Sequence, residues 1–485
     1  MASRDLRVWI DQLEAEGELK RISAKVDWDE EIAHVVRKVF MQRGPALLFE
    51  NIKDHENTRS TKLFTSGLGK RSRMALMLGL PKDTPTEELI QVARKRLKEP
   101  LEPVRVKAGP VKENIVKGED VDLFQFPVPK WHPLDLGRYI NTFCGTVTKD
   151  PDTGEHNVGI YRGTILSRNR IGVMLVPAQH WGITYKKYQE MGKAMPVAVV
   201  YGWDPSLLFV AGAPVKGCEY DLAGAMRQEP TELVKCETSD LEVPAFAEIV
   251  VEGTISPDPS TYEVEGPFGE WTGFYGEARR RPVLEVSCIS HRNDPIFRGG
   301  LEGMKAGVVN ESAVMTSIAF SAIAWNVLDS QEIPGVLDLT IGPITVVKIH
   351  KTYQGQARQI AAALWGSRLT VNILKLIMVV EEDVDIHNLR ALQLAFRDKV
   401  DPTRDLVVFP EYMGSTLDPA MPSDMKDELK YGIGVQNKLL IDATTDWETH
   451  PIRAEWGDRR YPPTCTEPSP EIEELVERRW KEYGF

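Results

Sequence analysis

The sequence is short of cysteine, of net positive charge and of uninterrupted apolar runs, and each shortage removes a class of protein. Its five cysteines, Cys144, Cys218, Cys236, Cys288 and Cys465, are scattered over 485 residues with no CxxC pair. Such spacing makes neither a disulfide framework nor a thiolate zinc site, so the thiols are expected to be reduced in a cytoplasmic protein. The net charge is −12, which argues against a partner read through nucleic-acid phosphates and against an anionic membrane surface. No apolar run attains the ~18 residues of a membrane span. Met1–Asp5 leads straight into an amphipathic pattern, without an apolar signal region. Internal repeats and low-complexity tracts are also missing.

What is present is enough apolar material, 42% of residues, for two or three domains. Residues 5–16 place Leu6, Trp9, Ile10 and Leu13 on one helical face, which Gly17 stops. A second helical pattern covers 29–42, a buried strand 46–49 and a third helix 86–97. This reads as a small α/β domain over 1–112, ending near the charged, proline-marked Glu99-Pro100-Leu101-Glu102-Pro103. From 113 to 305 short apolar runs at 197–201, 207–210, 249–251 and 283–289 alternate with Gly/Pro turns, a spacing that favours a barrel or sandwich over βαβ units. Residues 304–328 are apolar and poor in turn formers, and a linking helix is expected there (306–328). Over 329–485 strands at 344–349 and 373–380 alternate with helices at 356–364 and 386–396, the pattern of a second α/β domain. From Ser469, a Ser cap and Pro470 open an amphipathic helix carrying Ile472, Leu475, Val476 and Trp480. It docks on a neighbouring subunit or on its own domain.

Three stretches can carry chemistry. Glu265-Gly266-Pro267-Phe268-Gly269-Glu270 has Pro and Gly where a type I turn wants them, flanked by carboxylates. A turn would bring Glu265 and Glu270 together, coupling their titrations, and a nearby cation would then make the pair suitable for proton transfer. A solvated hairpin with acidic ends is the alternative. Asn157, His180 and Glu219 offer an amide oxygen, an imidazole and a carboxylate, a thiolate-free set that suits Mn²⁺, Mg²⁺ or Fe²⁺ better than structural zinc. An ordinary histidine and a surface carboxylate are the alternatives there. The triple Arg279-Arg280-Arg281 reads as solvated loop charge, or as a handle for an anion such as a CoA phosphate.

Taken in order, these islands make the sequence similar to the UbiD family of reversible, prenylated-FMN-dependent (de)carboxylases. Asn157 with Arg162, Gln179-His180, Glu219 in Glu-Tyr-x-x-Ala-Gly, Glu265-Gly-Pro-Phe-Gly-Glu270, Lys375 before Leu-Ile-Met-Val-Val, and Ser415-Thr416-Leu417-Asp418-Pro419 all match. The resemblance implies a central FMN-binding split β-barrel between N- and C-terminal α/β domains, with a C-terminal helix, assembled as a homodimer or homohexamer. It implies that Asn157, His180 and Glu219 hold a divalent metal, commonly Mn²⁺, against the cofactor phosphate, with K⁺ in a neighbouring site. Gly159, Ile160, Tyr161, Gln179 and Lys375 would contact the flavin or its phosphate. Arg162, Glu265 and Glu270 would form the catalytic network, and Trp271, following the second carboxylate, would lie close to a flat substrate.

The implied reaction is decarboxylation of an aromatic or α,β-unsaturated acid with release of CO₂. Loss of CO₂ from an sp² carbon leaves an electron pair with nowhere to delocalise, so an electron sink is needed, and prenylated FMN is one. A flavin prenyltransferase would supply it. A carboxylase, or a decarboxylase of an aryl-CoA thioester, would use the same residues. A non-catalytic flavin-binding scaffold is the rival from another class, and the complete Arg162/Glu265/Glu270 set argues against it.

Overall fold

The structure, a computed structural model, describes residues 4–303, 308–370, 374–463, 465 and 468–485. Its first helix, Leu6–Ala15, buries the four apolar residues that share a face, Leu6, Trp9, Ile10 and Leu13. Asp5 caps it by accepting from the Val8 amide at 2.9 Å. Helices Glu31–Met41 and Thr86–Arg96 follow as expected. Strands Leu19–Ile22, Ala46–Phe49 and Lys62–Thr65 form a sheet whose fourth strand, Ile296–Arg298, returns from the far end of the central region to pair in parallel with Lys62–Thr65.

The central region is a nine-stranded sheet bent into a half-barrel. Its order runs from Tyr139–Asn141 through Gly163–Ser167, Arg170–Val173, Val283–His291, Ile249–Ile255, Met195–Tyr201 and Gly145–Lys149 to His156–Gly159, with Asn114–Lys117 also on Val283–His291. A register shift between Glu252 and Gly253 helps it bend. Gly253 is required there because a Cβ would stand 2.1 Å from the Glu285 carbonyl oxygen.

One expected strand is a helix. Residues 207–210 lie within the helix Pro205–Ala211, started by Asp204, which accepts from the amides of Ser206 and Leu207, with Pro205 at the first position. The helix is buried all round, so its short apolar run carries no period by which sequence could separate helix from strand. The linking helix also starts later than expected, at Glu311, capped by Asn310, and runs to Ser330; residues 304–307 lie outside the described ones. Contrary to the apolar-run count, Glu311–Ser330 is long and apolar enough to cross a membrane by length and composition. Most of it is buried inside this fold, however, with Met315, Ile318, Ile323, Trp325 and Leu328 in the core. Buried Glu311 pins its start to the first layer, accepting from the Ser66 and Leu68 amides and from Arg298.

The C-terminal sheet has the order Val336–Thr340, Thr345–Ile349, Leu376–Glu381, Gly434–Ala443, Leu406–Gly414, parallel in its middle and antiparallel at both edges. Helices Gln356–Gly366 and Leu389–Lys399 accompany it. Of the strand expected at 373–380, residue 373 lies outside the described residues and the strand is Leu376–Glu381. No residue of the terminal helix Pro470–Arg479 is fully buried, Leu475 and Val476 are partly covered, and Trp480 stacks on Phe485.

His387 ties this unit to the first layer, with Nε2 2.9 Å from Asp338 and 3.2 Å from Glu87. The hydrogen bond to Asp338 raises the imidazole above its ordinary 6.5, against the effect of burial and with help from the Glu87 charge. The folded form therefore holds the proton more tightly. The stabilisation is complete below 6.5 and is lost as pH rises through the raised value. We expect the thermal midpoint of the protein to fall, relative to His387→Gln, between about pH 6 and about pH 8. Parallel pH profiles for the two proteins would rule this link out as a contributor.

Candidate active site

Arg162 stands on the short connection between the barrel strands His156–Gly159 and Gly163–Ser167. Its fork closes on two carboxylates. Nε donates to Glu265 Oε1 at 3.0 Å and the second amino group to Oε2 at 2.8 Å, while the first amino group donates to Glu270 Oε1. All three side chains are buried, Glu265 completely. Burial alone would lower the guanidinium pKa, but the charges of Glu265 and Glu270 outweigh it and hold Arg162 above its ordinary value. Tyr139 donates its hydroxyl to Glu265 Oε1 at 3.0 Å. Burial, then the Glu265 charge, keeps that hydroxyl protonated far above its usual range.

The carboxylates meet by another route than the expected reverse turn. Glu265 ends the strand Glu263–Glu265, paired with Arg279–Arg281, whereas Phe268–Gly269 pairs with Tyr275–Gly276. Between them the Gly266–Pro267 peptide is cis and Gly266 has φ +91°, a conformation only glycine adopts freely. The two acids thus leave separate ladders and are joined by the guanidinium between them.

Sequence reasoning missed the buckle that holds this segment. Asp135 Oδ1 accepts from the Gly269 amide at 2.9 Å, and Oδ2 accepts from the His132 amide at 2.9 Å and lies 3.2 Å from His132 Nδ1. The other ring nitrogen of His132 lies 3.0 Å from the Glu302 carbonyl oxygen. A Cβ on Gly269 would stand 2.4 Å from the imidazole, so glycine is needed at that contact. Glu302 was missed as well; burial, with the Glu270 charge adding to it, pushes its carboxyl up to about 8. The His132–Asp135 spacing is a weak local signal, and nothing local marks Glu302.

Asn157, His180 and Glu219 come together from a strand and two helix starts. Glu219 opens the helix Glu219–Arg227, and its buried carboxylate accepts from the Val158 amide at 2.8 Å and from Asn157 Nδ2 at 2.9 Å. Asn157 Nδ2 also lies 3.3 Å from His180 Nδ1, the first residue of the helix His180–Glu190. Burial pushes Glu219 up to about 7. Burial, then Arg368, lowers His180. Among the described residues Glu219 has no ion pair with a basic side chain. A buried carboxylate and a neutral imidazole turned toward one point, with an amide between them, are a donor set that a dication satisfies. No cluster of three His, Cys, Asp or Glu with metal-holding geometry occurs among the described residues, so a metal here would need the Asn157 amide as its third ligand. Its Oδ1 now accepts from the Tyr161 hydroxyl at 3.2 Å, and the Tyr161 ring stacks on Trp181 at 4.3 Å.

A cavity of about 220 Å³ opens from this network toward the C-terminal sheet. Arg162, Glu270, Phe274, Thr416, Leu417 and Lys426 are among its walls. Trp271 is not; it is 53% exposed, and Phe274 and Tyr275 supply the aromatic wall instead. Gln179 precedes the helix that His180 opens, with Gly159 and Ile160 nearby on and beyond the Asn157 strand. Lys375 is a partly exposed residue of the C-terminal unit, donating to Asp418 at 2.7 Å. The arginine triple is not solvated loop charge. It is the strand Arg279–Arg281, whose alternation turns Arg281 inward to a buried ion pair with Glu428 at 2.9 Å. Glu428 also accepts from Thr416 at 2.9 Å, tying barrel to C-terminal sheet.

Fold and site together define a carboxy-lyase. Models of the 3-octaprenyl-4-hydroxybenzoate carboxy-lyase match in chain order, its N-terminal domain at 10–93, its Rift-related domain at 102–305 and its C-terminal domain at 315–443. The chain belongs to the UbiD family. It is 31% identical to the uncharacterized protein sll0936 of Synechocystis sp. over 514 aligned positions, spanning 100% of this chain and 96% of the other. Among solved structures it is similar to the closed form of vanillic acid decarboxylase from Sedimentibacter hydroxybenzoicus, with TM-score 0.88, 29% identity and full coverage of both chains. It is also similar to the UbiD-class enzyme HmfF from Pelotomaculum thermopropionicum in complex with FMN, with TM-score 0.79 and 29% identity over 98% of this chain and 99% of the other.

Proposed function

We propose that this protein is a prenylated-FMN-dependent decarboxylase of an aromatic or α,β-unsaturated carboxylic acid. The observation that carries the reading is the Arg162 fork, closed on Glu265 and Glu270 at the floor of the cavity. HmfF has been solved with prenylated FMN, and that cofactor, when bound, supplies the electron sink for CO₂ loss. In this chain Asn157, His180 and Glu219 would hold Mn²⁺, or Mg²⁺ or Fe²⁺, against its phosphate, with K⁺ alongside. Gly159, Ile160, Tyr161, Gln179 and Lys375 would contact the flavin or its phosphate.

Arg162 orients the substrate carboxylate with the N–H groups that its two acidic partners leave over. Glu265, held bidentately and by Tyr139, stays fixed. Glu270, held by one nitrogen and lining the cavity, is free to deliver a proton to the carbon that lost CO₂. The test is a decarboxylation screen over aryl, heteroaryl and cinnamic acids with cofactor-loaded protein. Silence across the panel, with metal and flavin bound, would remove the reading.

Glu219→Ala is expected to stay folded while losing metal and most of its flavin, because the carboxylate supplies the only negative charge in the ligand set. Metal analysis and the flavin absorbance of the purified variant check it; wild-type metal content would discard the assignment. The helix Pro470–Arg479, none of whose residues is fully buried, and the exposed Trp480 support assembly as a homodimer or homohexamer, with this helix on a partner subunit. Truncation after residue 468 should lower the oligomer mass in light scattering. An unaltered mass would assign assembly elsewhere. A cytoplasmic location and a flavin prenyltransferase as cofactor source complete the proposal.

A further inference from the structure

Another cavity, of about 100 Å³, shares no lining residue with the one at Arg162, and its wall carries N–H donors that the chain itself does not use. The Trp203 indole N–H and the Arg227 Nε–H belong to side chains only 5% and 7% exposed, and neither has a hydrogen-bond acceptor among the described residues. The rest of the Arg227 guanidinium is fixed, by an ion pair with Asp204 at 3.1 Å and a bond to the Pro230 carbonyl oxygen at 2.6 Å. Asp204 is itself taken, since it also accepts from the amides that start the helix Pro205–Ala211. Arg4 brings a third donor group to the same wall. Its guanidinium lies over the Phe246 ring at 3.9 Å, and among the described residues no carboxylate oxygen is within 4.0 Å of it. A buried donor without an acceptor is unfavourable, and an arriving oxygen atom relieves it.

Size and charge narrow what can arrive. A cavity of about 150 Å³ takes one benzene, so one of about 100 Å³ is too small for an aromatic acid and admits only a few heavy atoms. Donors on two guanidinium groups and an indole call for anionic oxygen acceptors. Glu229 and Glu232 on the same wall count against a dianion. We propose that this cavity binds a small planar monoanion, bicarbonate or a short carboxylate, at Trp203, Arg227 and Arg4. Bicarbonate is what the CO₂ released by a carboxy-lyase becomes in water, with one water added and one proton lost, so the site suits a product of the reaction. Arg227 ends the helix that Glu219 begins, which seats the anion on the element carrying that carboxylate. The binding itself does not rest on the decarboxylase reading.

The probes are bicarbonate, acetate and phosphate, titrated in turn into the full-length protein at constant ionic strength. The readout is the Trp203 indole N–H resonance, identified by its loss in Trp203→Phe. Bicarbonate is expected to shift it saturably, with half-saturation on the order of 1 mM, and phosphate to bind about 10-fold more weakly. Arg4→Ala, a change at an exposed side chain, should weaken bicarbonate roughly 2- to 10-fold, the scale of one hydrogen bond. Line broadening of ¹³C-bicarbonate by wild type and by Arg4→Ala makes the same comparison should Trp203→Phe not fold. Acetate as tight as bicarbonate supports the site and assigns it to short carboxylates; weaker acetate assigns it to the product. A resonance that no anion moves means that these donors meet water only, and overturns the inference. Tighter binding of phosphate than of bicarbonate does so too, as does wild-type affinity in Arg4→Ala.

Discussion

Glu270→Gln is expected to bind flavin and metal as wild type does and to lose ~10²–10⁴ in decarboxylation rate, the range for a positioned general acid. The amide keeps the shape of the side chain and can still accept from Arg162, but it has no acidic proton to deliver. Glu265→Gln differs in kind. Glu265 receives two guanidinium nitrogens and the Tyr139 hydroxyl, so its amide loosens Arg162 and misplaces the substrate. Solvent deuterium exchange into the product C–H, measured beside turnover, separates the two. Glu270→Gln should suppress exchange and decarboxylation together. Exchange at the wild-type rate in that variant would transfer the proton-donor role to Glu265.

Arg162→Leu should cause the largest loss of stability. It strands Glu265, fully buried, and Glu270, nearly so, without their cation. Removing one partner of a buried ion pair costs ~3–5 kcal/mol, whereas replacing the whole group by apolar side chains is far milder. The barrel unfolding midpoint in urea, followed by tryptophan fluorescence, should therefore fall in Arg162→Leu. It should recover in a triple variant with leucine at 162, 265 and 270, which would be inactive. An Arg162→Leu midpoint equal to wild type would mean that the cluster is hydrated in solution rather than buried.

Local chemistry alone placed much of the molecule. Leu6–Ala15, Glu31–Met41 and Thr86–Arg96 were legible because each spaces its apolar residues at a helical period. Met195–Tyr201, Ile249–Ile255 and Val283–His291 were legible as β-rich runs between turn formers. The identities of Arg162, Glu265 and Glu270 and of Asn157, His180 and Glu219 also stood in the sequence, in islands whose order is that of the UbiD family.

Only the tertiary structure decided how those residues meet. Residues 207–210 are helical because their element is surrounded by core on every side, which erases the periodicity. Glu265 and Glu270 converge through a guanidinium more than a hundred positions upstream, not through their own turn. Arg281 is buried for the same reason. Whether a charged side chain is neutralised depends on the partner that folding brings across the barrel and the C-terminal sheet, as Glu428 is brought to Arg281. Sequence states which charges exist; long-range packing, which sets distance and desolvation, decides which of them are left for a substrate.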